Sequence, residues 1–276
     1  MTAPIGVFDS GLGGLTVVRS LLDLLPGEPV LYFGDSGRFP YGPKPREEVL
    51  KYALQIGDLL VDRGARAVVV ACNSASAAAL DTLTERLRVP VIGVIEPGLR
   101  AARGASASGR VGVIGTVGTI ASGAYQLVGA RVDPSMVLTC AACPGFVEFV
   151  EAGDVDSDQV HVLAERLLAP LRAADVDAVV LGCTHYPLLA RTIGDVMGRD
   201  VVLVSSADET AFAVRRLLGL LQRRRRPSVQ RLPRARRRQP GVDRLRQRHV
   251  RGAAAAPARR GPLGGGAHAR APRPRR

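Results

Sequence analysis

The chain has 276 residues, enough for two ordinary α/β domains or one large one, and its 46% apolar content is that of a globular protein with a real core. No apolar run is long enough to span a bilayer and no basic-then-apolar leader precedes Ile5, so the sequence leads to a cytoplasmic protein with no membrane partner. The net charge of +13 is concentrated: residues 223–276 hold 19 arginines, no lysine and the single acid Asp243, which leaves the body before them net acidic.

In chain order, short β-rich runs alternate with helical patterns. Strands are predicted at Ile5–Phe8, Val30–Phe33, Ala67–Ala71, Val91–Val94, Val111–Ile114, Val137–Thr139, Ala178–Leu181 and Val201–Val204. Helical spacing of apolar residues marks Arg46–Arg63 and Gln159–Ala173 between them. The alternation predicts an α/β fold with parallel sheets covered by helices.

An internal repeat divides the body. Ala67-Val-Val-Val-Ala-Cys-Asn-Ser74 aligns with Ala178-Val-Val-Leu-Gly-Cys-Thr-His185 at an offset of 111, which also sets Val91-Ile-Gly-Val94 on Val202-Leu-Val-Ser205. Ile5-Gly-Val-Phe-Asp-Ser10 echoes Val111-Gly-Val-Ile-Gly-Thr116 at an offset of 106. Buried parallel strands resemble one another by chance, but a cysteine at the equivalent strand end of both copies favours two pseudo-symmetric α/β domains with a cleft between them. The expected division is 1–97, completed by a helix at 208–221, and 98–207, with the boundary where Gly, Ala and Ser accumulate near Pro97–Ser108. The stretch 222–276, rich in Arg, Pro, Ala and Gly, has no aromatic residue and no apolar period. It is read as disordered, with the composition of an out-of-frame reading of GC-rich coding DNA.

Ligands of parallel sheets gather beyond the carboxyl ends of the strands. Four predicted strands end on polar motifs there: Asp9-Ser10-Gly11, Cys72-Asn73-Ser74, Thr116 to Thr119, and Cys183-Thr184-His185. A thiol at a helix N-terminus is expected to have a lowered pKa and so to serve as thiol or thiolate near neutrality. Alone, Cys72 or Cys183 reads as core filler; paired across a cleft, they could take the α-hydrogen from one face of a carbon and deliver a proton to the other. Backbone N–H groups after the cysteines and the hydroxyls of Ser10, Ser74 and Thr184 could hold an amino-acid carboxylate. Asp9 is read as a polar group of the site or a helix cap, and His185 as a group of the site or a core histidine. The loop Pro40–Pro45, with Tyr41 and Gly42, is read as a cleft wall or a surface turn.

Other chemistries have thinner support. Cys140-Ala-Ala-Cys143 has zinc or redox spacing and could join Cys183 and His185, but no second C-x-x-C exists. The turns Gly11-Leu-Gly13-Gly14 and Gly112-Val-Ile-Gly115 do not complete a dinucleotide fingerprint. The only lysines, Lys44 and Lys51, are poorly placed for a pyridoxal Schiff base. Neither a cofactor nor a metal is therefore expected. The basic tail could contact nucleic acid nonspecifically.

The pieces Val7-Phe-Asp-Ser-Gly-Leu-Gly-Gly-Leu-Thr-Val17, Pro40-Tyr-Gly42, Val70-Ala-Cys-Asn-Ser-Ala-Ser-Ala77, Gly112-Val-Ile-Gly-Thr116 and Leu181-Gly-Cys-Thr-His-Tyr-Pro-Leu-Leu189 together resemble the bacterial glutamate racemases of the cofactor-independent aspartate/glutamate racemase superfamily, over about 1–221. The resemblance implies two α/β domains, interconversion of L- and D-glutamate for peptidoglycan, and Cys72 and Cys183 as the proton donor/acceptor pair, with Asp9 and His185 assisting. It also implies a substrate shell of Asp9, Ser10, Tyr41, Gly42, Asn73, Ser74, Thr184 and His185, together with Thr116 and Thr119. Ser74 stands where the family more often has threonine, and the closing strand and helix of the family are not recognisable after Leu221. An aspartate or other acidic amino-acid racemase is the nearest alternative, and a homodimer stays open.

Overall fold

A computed structural model describes residues 2–225. The first half runs β1 (Ile5–Asp9), α1 (Leu15–Leu24), β2 (Val30–Gly34), α2 (Arg46–Asp62), β3 (Ala67–Val70), α3 (Asn73–Arg86), β4 (Val91–Gly93) and α4 (Ile95–Ala105). The second runs β5 (Arg110–Gly115), α5 (Val117–Ala121), α6 (Ala124–Val132), β6 (Val137–Ala142), α7 (Phe146–Glu151), α8 (Asp158–Ala173), β7 (Ala178–Gly182), a 3-10 turn at Tyr186–Leu189, α9 (Ala190–Met197), β8 (Val202–Ser205) and α10 (Ser206–Arg225). None of the described helices is long and apolar enough to cross a membrane.

The strands form two four-stranded parallel sheets of the same order, β2-β1-β3-β4 and β6-β5-β7-β8. Parallel strands with helices on both faces need apolar residues at successive positions, and every residue of β1, β3 and β7 is buried. Phe8 pairs with Val70 in one sheet and Ile114 with Leu181 in the other, so the two repeated cysteines follow equivalent inner strands.

In the first sheet, Val68 and Val70 turn toward Val49, Ile56 and Leu60 of α2 and Leu83 of α3, whereas Ile5, Val7 and Val69 turn toward Val17 and Leu21 of α1 and Ala211, Val214 and Leu218 of α10. The C-terminal described helix thus lies on the sheet that begins the chain. The second sheet packs Val179 and Leu181 against Leu168 and Leu171 of α8 and Ile193 of α9, and packs Val111, Val113 and Val180 against α4 and Tyr125 of α6.

The span expected to hold the domain boundary, Pro97–Ser108, is largely helical: α4 covers most of it. Ile95, Leu99 and Ala102 share one buried face, and the small residues between them let the helix come close. A Cβ on Gly98 would lie 3.1 Å from the Ser206 Cβ and 3.4 Å from Val180. The basic stretch expected from 222 on lies, from residue 226, outside the described residues.

Because Leu99 is fully buried, Leu99→Ala is expected to cost about 2–5 kcal/mol of stability. Denaturant unfolding measures this directly, and a cost below about 0.5 kcal/mol would fit an exposed connecting segment instead.

Candidate active site

Each sheet delivers its polar groups from strand ends. β1 closes on Asp9, β3 leads through Ala71 to Cys72, β5 leads to Thr116, and β7 leads to Cys183. Cys72 is the N-cap of α3, its Sγ accepting the Ala75 N–H at 3.5 Å, and Thr116 caps α5 in the same way, its hydroxyl accepting from Thr119 N. These caps satisfy N–H groups that the first helical turn leaves without partners.

One cavity collects Cys72 and Cys183 with Ser10, Tyr41, Gly42, Asn73, Ser74, Thr116, Thr184 and His185. Asp9 and Thr119 are fully buried and back this lining. The Asp9 Oδ2 accepts from Gly11 N at 3.2 Å and Gly14 N at 3.0 Å at the entrance to α1, while its Oδ1 accepts the Thr184 hydroxyl at 3.5 Å from the end of β7. Asp9 is therefore both a cap-like acceptor and a link between the two sheets. The Thr119 hydroxyl lies 3.0 Å from that of Ser74 and 2.9 Å from that of Thr116, closing a three-hydroxyl cluster across the same junction. The loop Phe39–Pro43 forms one wall.

Helix N-terminal placement leads to lowered thiol pKa values, and the structure reverses that expectation. Cys72 and Cys183 are only 6% and 8% exposed. Burial pushes Cys72 up to about 12, with the charge of Asp9 adding to the rise, while N–H groups of Ala75 and Ser10 pull it partly back. Burial also raises Cys183, opposed by the N–H groups of His185 and Tyr186. Removing a thiolate from water outweighs the favourable dipoles here. Desolvation raises the Asp9 carboxyl too, against the N–H groups of Gly14 and Gly11 and the proximity of His185.

His185 meets side chains rather than backbone. Its Nδ1 lies 3.8 Å from the Cys183 Sγ and 3.4 Å from the Thr184 hydroxyl, and its Nε2 lies 2.6 Å from the Glu151 Oε1. Phe39 covers the ring at a centroid distance of 5.8 Å. The row Glu151–His185–Cys183 thus runs from the rim of α7 into the cavity.

Several of these contacts escape the sequence reading. Glu151 sits 34 residues before His185 in a short helix with no motif, so nothing local marks it. Asp35, which accepts the Tyr41 hydroxyl and pairs with Arg38 at 2.7 Å, follows β2 and obeys the same strand-end rule that finds Asp9. Tyr125 donates to the Asn73 Oδ1 at 2.8 Å.

The glycines of the first turn permit contact between the two halves of the chain: a Cβ on Gly13 would stand 2.5 Å from the Thr184 Oγ1 and 2.7 Å from the His185 ring. Gly42 serves the facing wall, where a Cβ would come within 2.8 Å of Thr116 and where its carbonyl accepts the Gly118 N–H at 3.0 Å. All four cysteines are free thiols; Cys143 lines the cavity and Cys140 lies in β6. Among the described residues no three His, Cys, Asp or Glu side chains gather as a metal-binding group.

The Asp/Glu/Hydantoin racemase family matches residues 5–214. A glutamate racemase of Corynebacterium kroppenstedtii is 54% identical over 216 residues, 78% of this chain and 75% of that protein. Among solved structures, the glutamate racemase isoform RacE1 of Bacillus anthracis matches with a TM-score of 0.77 and 43% identity, over 79% of this chain and 82% of that one. The glutamate racemase of Francisella tularensis, solved in complex with D-glutamate, matches with a TM-score of 0.75 and 37% identity, over 80% of this chain and 82% of that one. The chain belongs to the Asp/Glu/Hydantoin racemase family, among its glutamate racemases.

Proposed function

We propose that the cavity interconverts L- and D-glutamate by moving a proton at the α-carbon between Cys72 and Cys183 without a cofactor, supplying D-glutamate for peptidoglycan. The observation that carries this reading is the convergence of two thiols, from equivalent strand ends of two like sheets, on one cavity. The reading assigns one thiol to each lobe, 1–97 completed by 208–221, and 98–207. A reducing cytoplasm keeps such thiols free.

The chemistry balances within the two residues. The thiolate of one cysteine takes the α-proton and becomes a thiol, while the thiol of the other gives its proton to the opposite face and becomes a thiolate. The product enantiomer leaves with the protonation states exchanged, ready for the reverse direction. Both thiols favour their neutral form in the unliganded site, so a neighbouring group must hold the first proton. His185 is placed to do this for Cys183, with Glu151 at its far nitrogen stabilising the imidazolium. On the Cys72 side, the substrate ammonium beside Asp9 would offset the negative charge that raises the thiol. The hydroxyls of Ser74, Thr116 and Thr119 and the N–H groups opening α3 offer donors to a carboxylate. No step runs through the basic stretch, which from residue 226 lies outside the described residues.

Cys72→Ala and Cys183→Ala are each expected to lower racemisation by about 10²–10⁴-fold. Optical rotation and α-deuteration of L-glutamate in deuterium oxide measure it. Full racemisation by either variant would remove the two-thiol mechanism, and an inert L-glutamate beside a racemised L-aspartate would move the substrate to the shorter acid.

The pH profile has a defined sign. A thiol raised to about 12 in the free protein is protonated across the neutral range, so its thiolate fraction grows about tenfold per pH unit. Accordingly kcat/KM, in the direction that uses Cys72 as the base, should climb from about pH 6 to 8.5 with a slope near one. A plateau reached by about pH 6 would mean a thiolate already formed in the free protein.

A further inference from the structure

Asn73 carries a polar atom that the rest of the site leaves unmatched. It is 3% exposed and lines the cavity, its Oδ1 accepts the Tyr125 hydroxyl at 2.8 Å, and its buried Nδ2 meets no hydrogen-bond partner. Tyr125 belongs to α6 of the second lobe and is 1% exposed, whereas Asn73 opens α3 of the first. The same hydroxyl fills the space beside Gly182, where a Cβ would come within 2.8 Å of it. One phenol therefore bonds the residue after Cys72 and stands beside the residue before Cys183.

We propose that Tyr125 is a positioning residue for racemisation, whose hydroxyl holds the Asn73 amide by its oxygen and so keeps the NH₂ end for a carboxylate of the bound substrate. The inference rests on the reading of Asn73 as a substrate contact. The two ends of an amide have nearly the same shape and opposite hydrogen-bonding roles. An unanchored Asn73 could offer its oxygen to the carboxylate, acceptor against acceptor. A donor fixed at Oδ1 removes that orientation. Burial holds the Tyr125 phenol far above its ordinary pKa, so the hydroxyl keeps the proton it donates. The donor comes from α6, beside the second sheet, whereas the amide it holds opens α3 beside the first.

The test uses the full chain with Tyr125→Phe, Asn73→Ala and the double variant, measured by steady-state kinetics with L- and D-glutamate and by thermal unfolding. Tyr125→Phe keeps the ring. It is expected to lower kcat/KM about tenfold, mainly through KM, with Tm held within about 2 °C. The double variant should be no worse than Asn73→Ala, as for two residues acting through one contact. An unchanged KM in Tyr125→Phe beside a raised KM in Asn73→Ala overturns the inference and leaves the substrate reading standing. Losses that multiply in the double variant, or that follow a fallen Tm, also overturn it. An Asn73→Ala variant with unaltered KM instead removes the role of Asn73 as a substrate contact.

Discussion

Desolvation governs this site. Two thiols, a carboxylate and an imidazole share a junction where each is under a tenth exposed. An ion left without partners in such surroundings costs several kcal/mol. The surrounding polar structure answers that cost group by group: N–H donors reach Asp9 and Cys72, Glu151 reaches His185, and the three hydroxyls lie within hydrogen-bond distance of one another. A cavity so arranged disfavours charge while empty and is prepared for a ligand that brings both signs. An amino acid with an ammonium and a carboxylate does so.

The junction depends on side chains that are absent as much as on those present. Gly13 and Gly42 occupy places where even a methyl group would collide with Thr184, His185 or Thr116 from the second half of the chain. Their positions let backbone from the first half lie directly against polar groups of the second. The hydrogen bond from Gly118 to Gly42 and that from Thr184 to Asp9 cross the same junction. Shape and charge are thus matched by the same short segments.

Much of the fold is legible in the sequence because strands buried on both faces read as unbroken apolar runs; Ala67–Val70 and Ala178–Gly182 are clear cases. The repeat is legible because both copies keep a cysteine after that run. α4 is harder to see: its glycines and alanines imitate a linker, and only the spacing of Ile95, Leu99 and Ala102 gives it away. The residues that converge on the cavity could be named from strand ends and family resemblance, whereas Glu151 and Tyr125 hold two of them, His185 and Asn73, from helices whose placement no local pattern encodes. The thiol pKa values are the instructive failure. A helix N-terminus is visible in a sequence, but the burial that overrides it belongs to the assembled site.

The path of the chain has a mechanical consequence. It leaves the first sheet through α4 and returns to it through α10, and these two crossings touch where Gly98 lies against Ser206. The two sheets are thus joined covalently twice, and the two crossings are packed against each other at that one point.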